Sequence, residues 1–273
     1  MGARKATLRM LFVLTIVFVS FPQIKEVNAQ ATIYIKGDGS IEGTDKIVQL
    51  VYDTYTFTDN IFGEIKVQRS NFVLDGAGYT LQGNWSGFYP DVSVESRGIT
   101  LSDRSNITIK NLRITNFTYG INCVLSNNNT ITNCYIEYCQ RSINQPSNVL
   151  IANNTILCGI YLDYTQSNNT ITQNNFISKD SPAANLIDVY FAPQPTVYMN
   201  YWSDYNGTDI NGDGIGETPY VINQENQDDF PLITQVDIGI IPEFPSWTIL
   251  PSLIITTLVI VIFRSKFQRK RFE

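Results

Sequence analysis

The chain has 273 residues, with 19 basic and 25 acidic residues, four cysteines and no histidine. This length suits one or two ordinary domains, and a chain without histidine cannot build a metal site on imidazole ligands. Residues 30–263, which exclude the basic segments at the two ends, contain 10 basic and 23 acidic residues. Their net charge of −13 argues against nucleic acids and anionic polymers as partners.

The first predicted element is a secretory signal peptide over residues 1–29. Arg4, Lys5 and Arg9 precede an apolar run from Met10 to Phe21, and a small-residue pattern ends at Ala29. A basic start, a short apolar segment and small residues at the cleavage point are typical of such peptides. The alternative is an anchor helix that is not cleaved.

The middle of the chain repeats itself about every twenty residues. The copies that begin at Ser105, Asn128, Ser147 and Asn168 contain short alternating runs of Ile, Thr and Val, interrupted by Asn, Gly and Ser. Such runs predict brief β-strands separated by turns. We expect each copy to form one coil of a parallel solenoid, whose apolar residues stack on those of the neighbouring coils. The expected columns are Leu74, Ile109, Ile131, Ile151 and Ile171; Tyr79, Ile114, Ile136, Ile156 and Ile177; and Ile121, Ile143 and Ile160.

Asparagine supports the same fold, because 18 of the 96 residues from Ser105 to Asn200 are Asn. Asn tolerates the left-handed conformation, and its amide can bond to the equivalent Asn one coil away. An antiparallel sandwich would explain the strands but not the columns. We therefore predict an all-β, single-stranded parallel β-helix over residues 30–233, with a loop inserted from Gly83 to Gly98.

Four cysteines lie within the repeats, in a part of the chain where export would permit disulfides. Cys123 and Cys134 are interpreted as small buried apolar residues. Cys139 and Cys158 follow each other on adjacent turns, and for them we predict a disulfide.

An acidic loop follows the last repeat, within a predicted cap over residues 200–222. Acidic and amide side chains alternate around Gly214, as in a calcium loop, although Tyr220 stands where a full EF-hand has its bidentate Glu. The alternative is an acidic turn without metal. The predicted calcium ligands are Asp209, Asn211, Asp213, the Ile215 carbonyl and Glu217, with Asp228 or Asp229 as further candidates. The aromatic residues expected to cover the last coil are Tyr201, Trp202, Tyr205 and Tyr220.

The C-terminal part predicts a membrane anchor. A linker over residues 234–246 contains the motif PEF, and the run at residues 247–263 carries no charge. Seventeen helical residues span about 25 Å, enough for a membrane helix. The basic cluster at residues 264–273 predicts a cytoplasmic tail, and the preceding domain is then expected at the extracellular face of the membrane.

Several motifs together resemble a known family. These are IYIKGDGSI from Ile33, FVLDGAGYTLQG from Phe72, the NNTIT repeats, and the closing NYWSDY…GTD…NGDGIG…TPY. They resemble the NosD-like family of exported right-handed parallel β-helix proteins, grouped with carbohydrate-binding proteins and sugar hydrolases. The PEFPSW tail resembles archaeal C-terminal sorting signals, which implies processing by an archaeosortase-like protease; a permanent anchor is the alternative.

The resemblance implies three functions. Copper handling fits poorly, because the only methionine outside the predicted signal peptide is Met199 and there is no histidine. A polysaccharide lyase or hydrolase needs paired carboxylates or an acid beside a base. The candidate acids are Asp103, Glu137, Asp163 and Asp188, and the candidate bases are Arg113 and Arg141, whereas Asp75 is expected to shape a turn. Because the columns do not bring two of these acids together, we assign no catalytic residue.

We therefore expect a surface module without catalytic activity, with glycans or envelope proteins as partners. Exposed aromatic side chains can stack on sugar rings, and the candidates are Trp85, Phe88, Tyr89, Tyr119, Tyr161 and Tyr164. The alternative is that these aromatics cover their own core. Seven sequons predict glycosylation, at Asn84, Asn106, Asn116, Asn128, Asn153, Asn168 and Asn206. Those at Asn84 and Asn206 lie in loops.

Overall fold

The computed structural model describes residues 31–50, 53–85, 95–162, 168–178, 183–189 and 195–239. The predicted signal peptide, membrane helix and basic tail lie outside these ranges, as does the linker beyond Gly239. Within the described ranges, no helix has the length and apolar character needed to cross a membrane.

The described residues form short β-strands and one 3₁₀ helix, Ala183–Leu186. The strands are β1 (Ala31–Ile35), β2 (Ile41–Glu42), β3 (Ile47–Gln49), β4 (Thr54–Phe57), β5 (Ile61–Val67), β6 (Phe72–Asp75), β7 (Thr80–Gln82), β8 (Arg97–Thr100), β9 (Ile107–Lys110), β10 (Arg113–Thr115), β11 (Tyr119–Asn122), β12 (Thr130–Thr132), β13 (Tyr135–Glu137), β14 (Arg141–Asn144), β15 (Leu150–Ala152), β16 (Thr155–Ile156), β17 (Gly159–Leu162), β18 (Thr170–Thr172), β19 (Asn175–Phe176), β20 (Ile187–Val189), β21 (Thr196–Tyr198), β22 (Tyr201–Trp202), β23 (Tyr220–Val221) and β24 (Gln227–Asp228).

The strands make three parallel sheets that run along one axis. Sheet I contains β1, β5, β8, β11, β14, β17 and β20. Sheet II contains β4, β6, β9, β12, β15, β18 and β21. Sheet III contains the start of β5 and β7, β10, β13, β16, β19 and β22. Because the chain visits sheets II, III and I in turn and each strand pairs with its equivalent one coil away, the predicted parallel β-helix is confirmed.

The apolar columns follow the predicted spacing, with two exceptions. The first column, from Leu74 to Ile171, and the third, from Ile121 to Ile160, are in register as predicted. In the second column, Leu81 rather than Tyr79 pairs with Ile114, and Phe176 rather than Ile177 pairs with Ile156. Tyr79 lies in a turn, where its N–H donates to the Gly76 carbonyl over 2.8 Å. The column residues are buried and form one continuous core.

The inserted loop is shorter than predicted at its C-terminal end. Strand β8 begins at Arg97, and Gly98 is buried within it. A Cβ atom at position 98 would lie 2.5 Å from the Gly120 carbonyl oxygen of the next coil. The coils therefore approach too closely here for any side chain, and the strand requires glycine.

Asparagine occupies the turns because the backbone there is left-handed. Of the 17 non-glycine residues with positive φ in the described ranges, nine are Asn, and Asn tolerates this region better than most residues. One turn column contains Asn71, Asn106, Asn128, Asn148 and Asn168. Another contains Asn111, Asn133 and Asn153 and continues with Gln173 and Met199.

Antiparallel strands close both described ends. At the start, β2 pairs with β1 and β3 pairs with β4; at the end, β23 pairs with β24. After the end cap the chain turns back along the outside of sheet III, where the Asn175 side chain accepts the Val236 N–H over 2.7 Å and donates to the Val236 carbonyl over 2.8 Å. Part of sheet III is therefore covered by the chain itself.

Candidate functional site

The outer surface of sheet I carries an arginine–tyrosine ladder, which we define as Arg97, Tyr119, Arg141 and Tyr161. Tyr119 is in register with Arg97 on one side and Arg141 on the other. A register shift between β14 and β17 brings the Tyr161 ring to 3.6 Å from the Arg141 guanidinium carbon, which also lies 5.9 Å from the Tyr119 ring. These are cation–π distances.

The charges around the ladder are unevenly distributed. Arg97 forms an ion pair with Glu95, and the Tyr119 hydroxyl donates to the same carboxylate over 3.3 Å. Burial and the Glu95 charge raise the pKa of Tyr119, although Arg141 acts in the opposite sense. Among the described residues, no carboxylate forms an ion pair with Arg141, whose Nη1 donates to the Asn144 side-chain oxygen over 3.3 Å. The ladder therefore presents a flat cation held between two half-exposed rings.

The other four predicted sugar-stacking residues do not belong to the ladder. Trp85 is half-buried at the start of the inserted loop, while Phe88, Tyr89 and Tyr164 lie outside the described residues. The structure therefore brings together two of the six predicted sugar-stacking residues, Tyr119 and Tyr161.

The candidate acids lie on different sides of the molecule. Glu137, on sheet III, is buried and paired with Arg113, whose Nε donates to it over 3.0 Å. Asp188 lies on sheet I beside Tyr161, and Asp103 occupies a left-handed turn. Asp163 is outside the described residues.

Asp75 lies at the end of a strand of sheet II, where it shapes a turn as predicted. Its carboxylate accepts the Ala77 N–H over 2.9 Å and pairs with Lys110. Burial opposes ionisation, but these contacts and the Asn111 amide outweigh it and lower the pKa of Asp75.

A buried asparagine ladder runs to the C-terminal end of the helix. Asn154, Asn174 and Asn200 are fully buried, and each side-chain oxygen accepts the backbone N–H of the residue one coil earlier over 2.9–3.0 Å. The ladder begins at the N–H of Cys134 and ends at Asp228, whose carboxylate accepts the Asn200 N–H over 2.8 Å.

Asp228 is fully buried and accepts five N–H groups. They come from the backbones of Met199, Asn200 and Phe230, the Asn200 amide and the Trp202 indole, over 2.8–3.2 Å. A carboxylate has about four lone-pair sites. Asp228 is therefore saturated and is not suited to supplying the additional calcium ligand that the sequence suggested.

The predicted aromatic cap covers the last coil. The Trp202 ring stacks between Phe176, at 4.5 Å, and Tyr220, at 4.4 Å, and Tyr205 meets Tyr220 edge-on at 6.2 Å. The Tyr205 hydroxyl donates to the Thr218 carbonyl over 2.6 Å. Tyr201 is half-buried in the final strand of sheet III.

The acidic loop is held by its own side chains. The Asp209 carboxylate accepts the N–H groups of Gly212 and Gly214 over 2.7 and 2.8 Å, and the Asn211 amide donates to Asp213 over 3.0 Å. Gly212 and Gly214 have φ of 79° and 85°, which few other residues adopt. Among the described residues, no three Asp, Glu, Cys or His side chains are placed to hold a metal ion.

The donor set of this loop still matches a hard cation. Besides Asp209, Asn211 and Asp213 it includes the exposed Glu217 and Ile215, whose backbone forms a bridge to Leu232. Carboxylate, amide and carbonyl oxygens are the ligands that calcium prefers. Calcium binding at this loop therefore stays a prediction, which rests on the oxygen donors that the loop contains.

The sequons fall into two groups. Asn106, Asn116, Asn128, Asn153 and Asn168 all lie in left-handed turns of the helix. Asn84 and Asn206 are exposed outside the repeats. Glycosylation of all seven stays a prediction.

All four cysteines are buried, and none of them forms a disulfide in this structure. Burial raises the pKa of Cys123 and of Cys134 to about 12, which suits the apolar role predicted for them. Cys139 and Cys158 lie in adjacent coils, where the Cys139 N–H donates to the Cys158 sulfur over 3.1 Å. Hydrogen bonds from Cys139 lower the pKa of Cys158. A disulfide between them stays a prediction.

Two features were missed from the sequence alone. Arg141 was considered only as a base, because its place between two tyrosines depends on the irregular register of β14 and β17. Asp228 lies 28 residues after Asn200, outside any repeat, so no periodic signal links the two. The ladder itself has a periodic signal, because Cys134, Asn154 and Asn174 follow one another at intervals of 20 residues.

Comparison with known proteins gives one match. A family model described as a right-handed beta helix region matches residues 28–201, which include the coils from β1 to β21. Comparisons with curated proteins and with solved structures give no match.

Proposed function

The chain belongs to the right-handed β-helix family, and on this premise we propose that it is a cell-surface protein that binds glycans without cleaving them. Within that family we assign it to the NosD-like, archaeal group, on the motifs from Ile33 to Tyr220. Export rests on residues 1–29, and attachment to the membrane rests on the uncharged run at residues 247–263 and the basic residues after it. The PEF motif supports removal of the anchor by a sorting protease.

The arginine–tyrosine ladder carries this proposal. Tyr119 and Tyr161 present half-exposed rings along the axis of the helix, with Arg141 between them. An aromatic ring can pack on the C–H face of a sugar, and the guanidinium supplies several donors to sugar hydroxyls. One sugar chain lying along sheet I would meet both features in successive coils.

Binding without cleavage is supported by the positions of the acids. Glu137 is buried in its pair with Arg113, while Asp75, Asp103 and Asp188 lie on or beside different sheets. Glycoside hydrolysis generally needs two carboxyl groups about 5–10 Å apart on either side of one bond. A lyase or hydrolase is therefore the outcome that the experiment must detect if the proposal is wrong.

The test is binding of the full chain, purified in detergent, to a panel of polysaccharides with calcium present. We expect binding to at least one glycan, and a loss of about tenfold or more in Arg141→Ala or Tyr161→Ala. Tyr138→Ala is the matched control, because Tyr138 is 65% exposed and lies outside the ladder. New reducing ends or unsaturated sugars would contradict the absence of catalysis, and binding only to envelope proteins would contradict the assignment to glycans.

A further inference from the structure

A second outer surface, on sheet II, is built from uncharged polar residues. A depression of about 250 Å³ crosses three successive coils there. Its lining includes Asn128 and Thr130 from one coil, Asn148 and Leu150 from the next, and Asn168 and Thr170 from the third. We call this the asparagine–threonine depression.

Buried amides hold the wall of this depression in place. The Asn129 side-chain oxygen accepts the Ile107 N–H over 2.9 Å, and that of Asn169 accepts the Val149 N–H over 3.1 Å. Asn169 also donates to the Pro146 carbonyl over 2.9 Å. Asn129 and Asn169 are almost completely buried, so the outer residues are attached to a fixed frame.

The outer amides retain hydrogen-bonding capacity after they bond to each other. Asn148 donates to Asn128 along the turn column. A side-chain amide has two donor hydrogens and two acceptor lone pairs, so one such contact leaves further groups for a ligand. Thr130 and Thr170 add a hydroxyl each on the neighbouring column.

The charge of the surface restricts the ligand to neutral molecules. None of the described residues that line the depression is charged, and residues 30–263 have a net charge of −13. A polyanion would therefore be repelled without meeting a local cation. Leu150, whose side chain is 40% exposed, offers an apolar contact of the kind that the C–H face of a sugar can make.

The spacing of the coils restricts the ligand to a chain. Equivalent residues of adjacent parallel strands lie about 4.8 Å apart, so amide and hydroxyl groups recur at that interval along the axis. A linear polymer with hydroxyls on every unit can repeat the same contacts on each coil. A single small molecule would use only one of them.

We propose that the asparagine–threonine depression binds a neutral, hydroxyl-rich polysaccharide chain that lies along the helix axis. It deepens the proposed glycan binding, but it uses a different sheet from the arginine–tyrosine ladder. The two surfaces can therefore be tested separately.

The experiment compares the full chain and its variants for binding to a neutral glucan and to a polyuronate. A sugar on Asn128 or Asn168 would fill the depression, so the proposed binding belongs to molecules in which these two residues are unmodified. The protein is therefore made in a host without N-glycosylation. Leu150→Arg places a long charged side chain at an exposed position, where it should leave folding intact. We expect this variant to lose tenfold or more in affinity for the neutral glucan.

The matched control is Leu125→Arg, the same substitution at a leucine that is 72% exposed and outside the depression. It should bind the neutral glucan as the unmodified sequence does. Equal binding by Leu150→Arg and Leu125→Arg, or binding of the polyuronate alone, would overturn the proposal while leaving glycan binding at the ladder in place. No binding of any glycan would overturn both.

Discussion

At the scale of single residues, the last coil depends on Asp228. This carboxylate gathers N–H groups from the end of the asparagine ladder, from Trp202 and from Phe230. Without it, three or more buried donors would lack an acceptor, and each unsatisfied donor costs about 1–3 kcal/mol. Many residue types could occupy an exposed position. This buried position requires a side chain with two acceptor oxygens.

Asp228→Asn tests this requirement. One side-chain oxygen accepts the backbone N–H groups of Met199 and Phe230, and the other accepts the Asn200 and Trp202 donors. In either orientation the new amide places its NH₂ group against at least two donors. We expect the free energy of unfolding, measured by chemical denaturation, to fall by about 3 kcal/mol.

The control for this prediction is the neighbouring exposed residue. Asp229 accepts one hydrogen bond, from the Gln227 side chain over 2.6 Å. Asp229→Asn should change the stability by no more than about 0.5 kcal/mol. Equal stability of the two variants would show that the Asp228 carboxylate does not hold the last coil.

At the scale of the elements, the regular strands could be predicted and the polar contacts between them could not. The columns of Ile109 and Ile121 follow from a spacing of about twenty residues. The apolar pattern alone does not distinguish Phe176 from Ile177 in the second column. Phe176 pairs with Ile156 because Asn174 must stay in register with Asn154 to accept the Asn154 backbone N–H.

The same limit applies to the candidate binding surfaces. Tyr119 and Tyr161 were recognisable as aromatics on the repeats, but Ile160 follows Ile143 by only 17 residues. This short coil shifts the register of β17 against β14 and moves the Tyr161 ring onto Arg141. A periodic reading of the sequence averages over such irregularities, so it could not place the ring and the cation together.

The turn column that contains Asn106 and Asn128 should restrict glycosylation to one of two adjacent coils. Asn106 and Asn128 occupy the same turn in adjacent coils, since Thr108 and Thr130 are in register. Their backbones are therefore about 4.8 Å apart, too close for two branched glycans side by side. We expect intact-protein mass spectrometry to find either residue modified, but not both in one molecule. Asn128→Gln should then raise the occupancy of Asn106.

Asn206→Gln is the control, because Asn206 lies in the cap region rather than in the column. It should leave the occupancy of Asn106 unchanged. Molecules modified at both Asn106 and Asn128 would refute mutual exclusion, as would an Asn106 occupancy that does not respond to Asn128→Gln.

Across the molecule, the three sheets present three different outer surfaces. Sheet I carries cations between aromatic rings, and sheet II carries neutral amides and hydroxyls. Sheet III holds the ion pair between half-buried Arg113 and buried Glu137, and it is partly covered by the returning chain at Val236. One repeated coil thus supplies a common core, while substitutions at outward positions give each side its own chemistry.

The acidic loop of the end cap holds the segment around Leu232, which borders the last coil. The Gly216 N–H donates to the Pro231 carbonyl over 2.8 Å, and the Ile233 N–H donates to the Gly214 carbonyl over 3.0 Å. Leu232, between them, bridges to Tyr201 of the final coil. In a solenoid each coil is stabilised chiefly by its neighbours, so a cation that fixes this loop should stabilise the terminal coil first.

We therefore expect calcium to raise the unfolding temperature of the full chain. At a free calcium concentration of one hundred times Kd, binding contributes about 2.7 kcal/mol, which corresponds to roughly 5–10 °C for a domain of this size. Asp209→Asn removes one charge from the predicted ligand set and should abolish most of the calcium-dependent increment. Asp237→Asn, outside the loop, should retain it, and a chelator should reverse it. Magnesium should act more weakly, because it demands a stricter geometry than a flexible loop offers. An unfolding temperature that ignores calcium, or an increment of equal size in Asp209→Asn, would show that the loop closes the helix through its own hydrogen bonds alone.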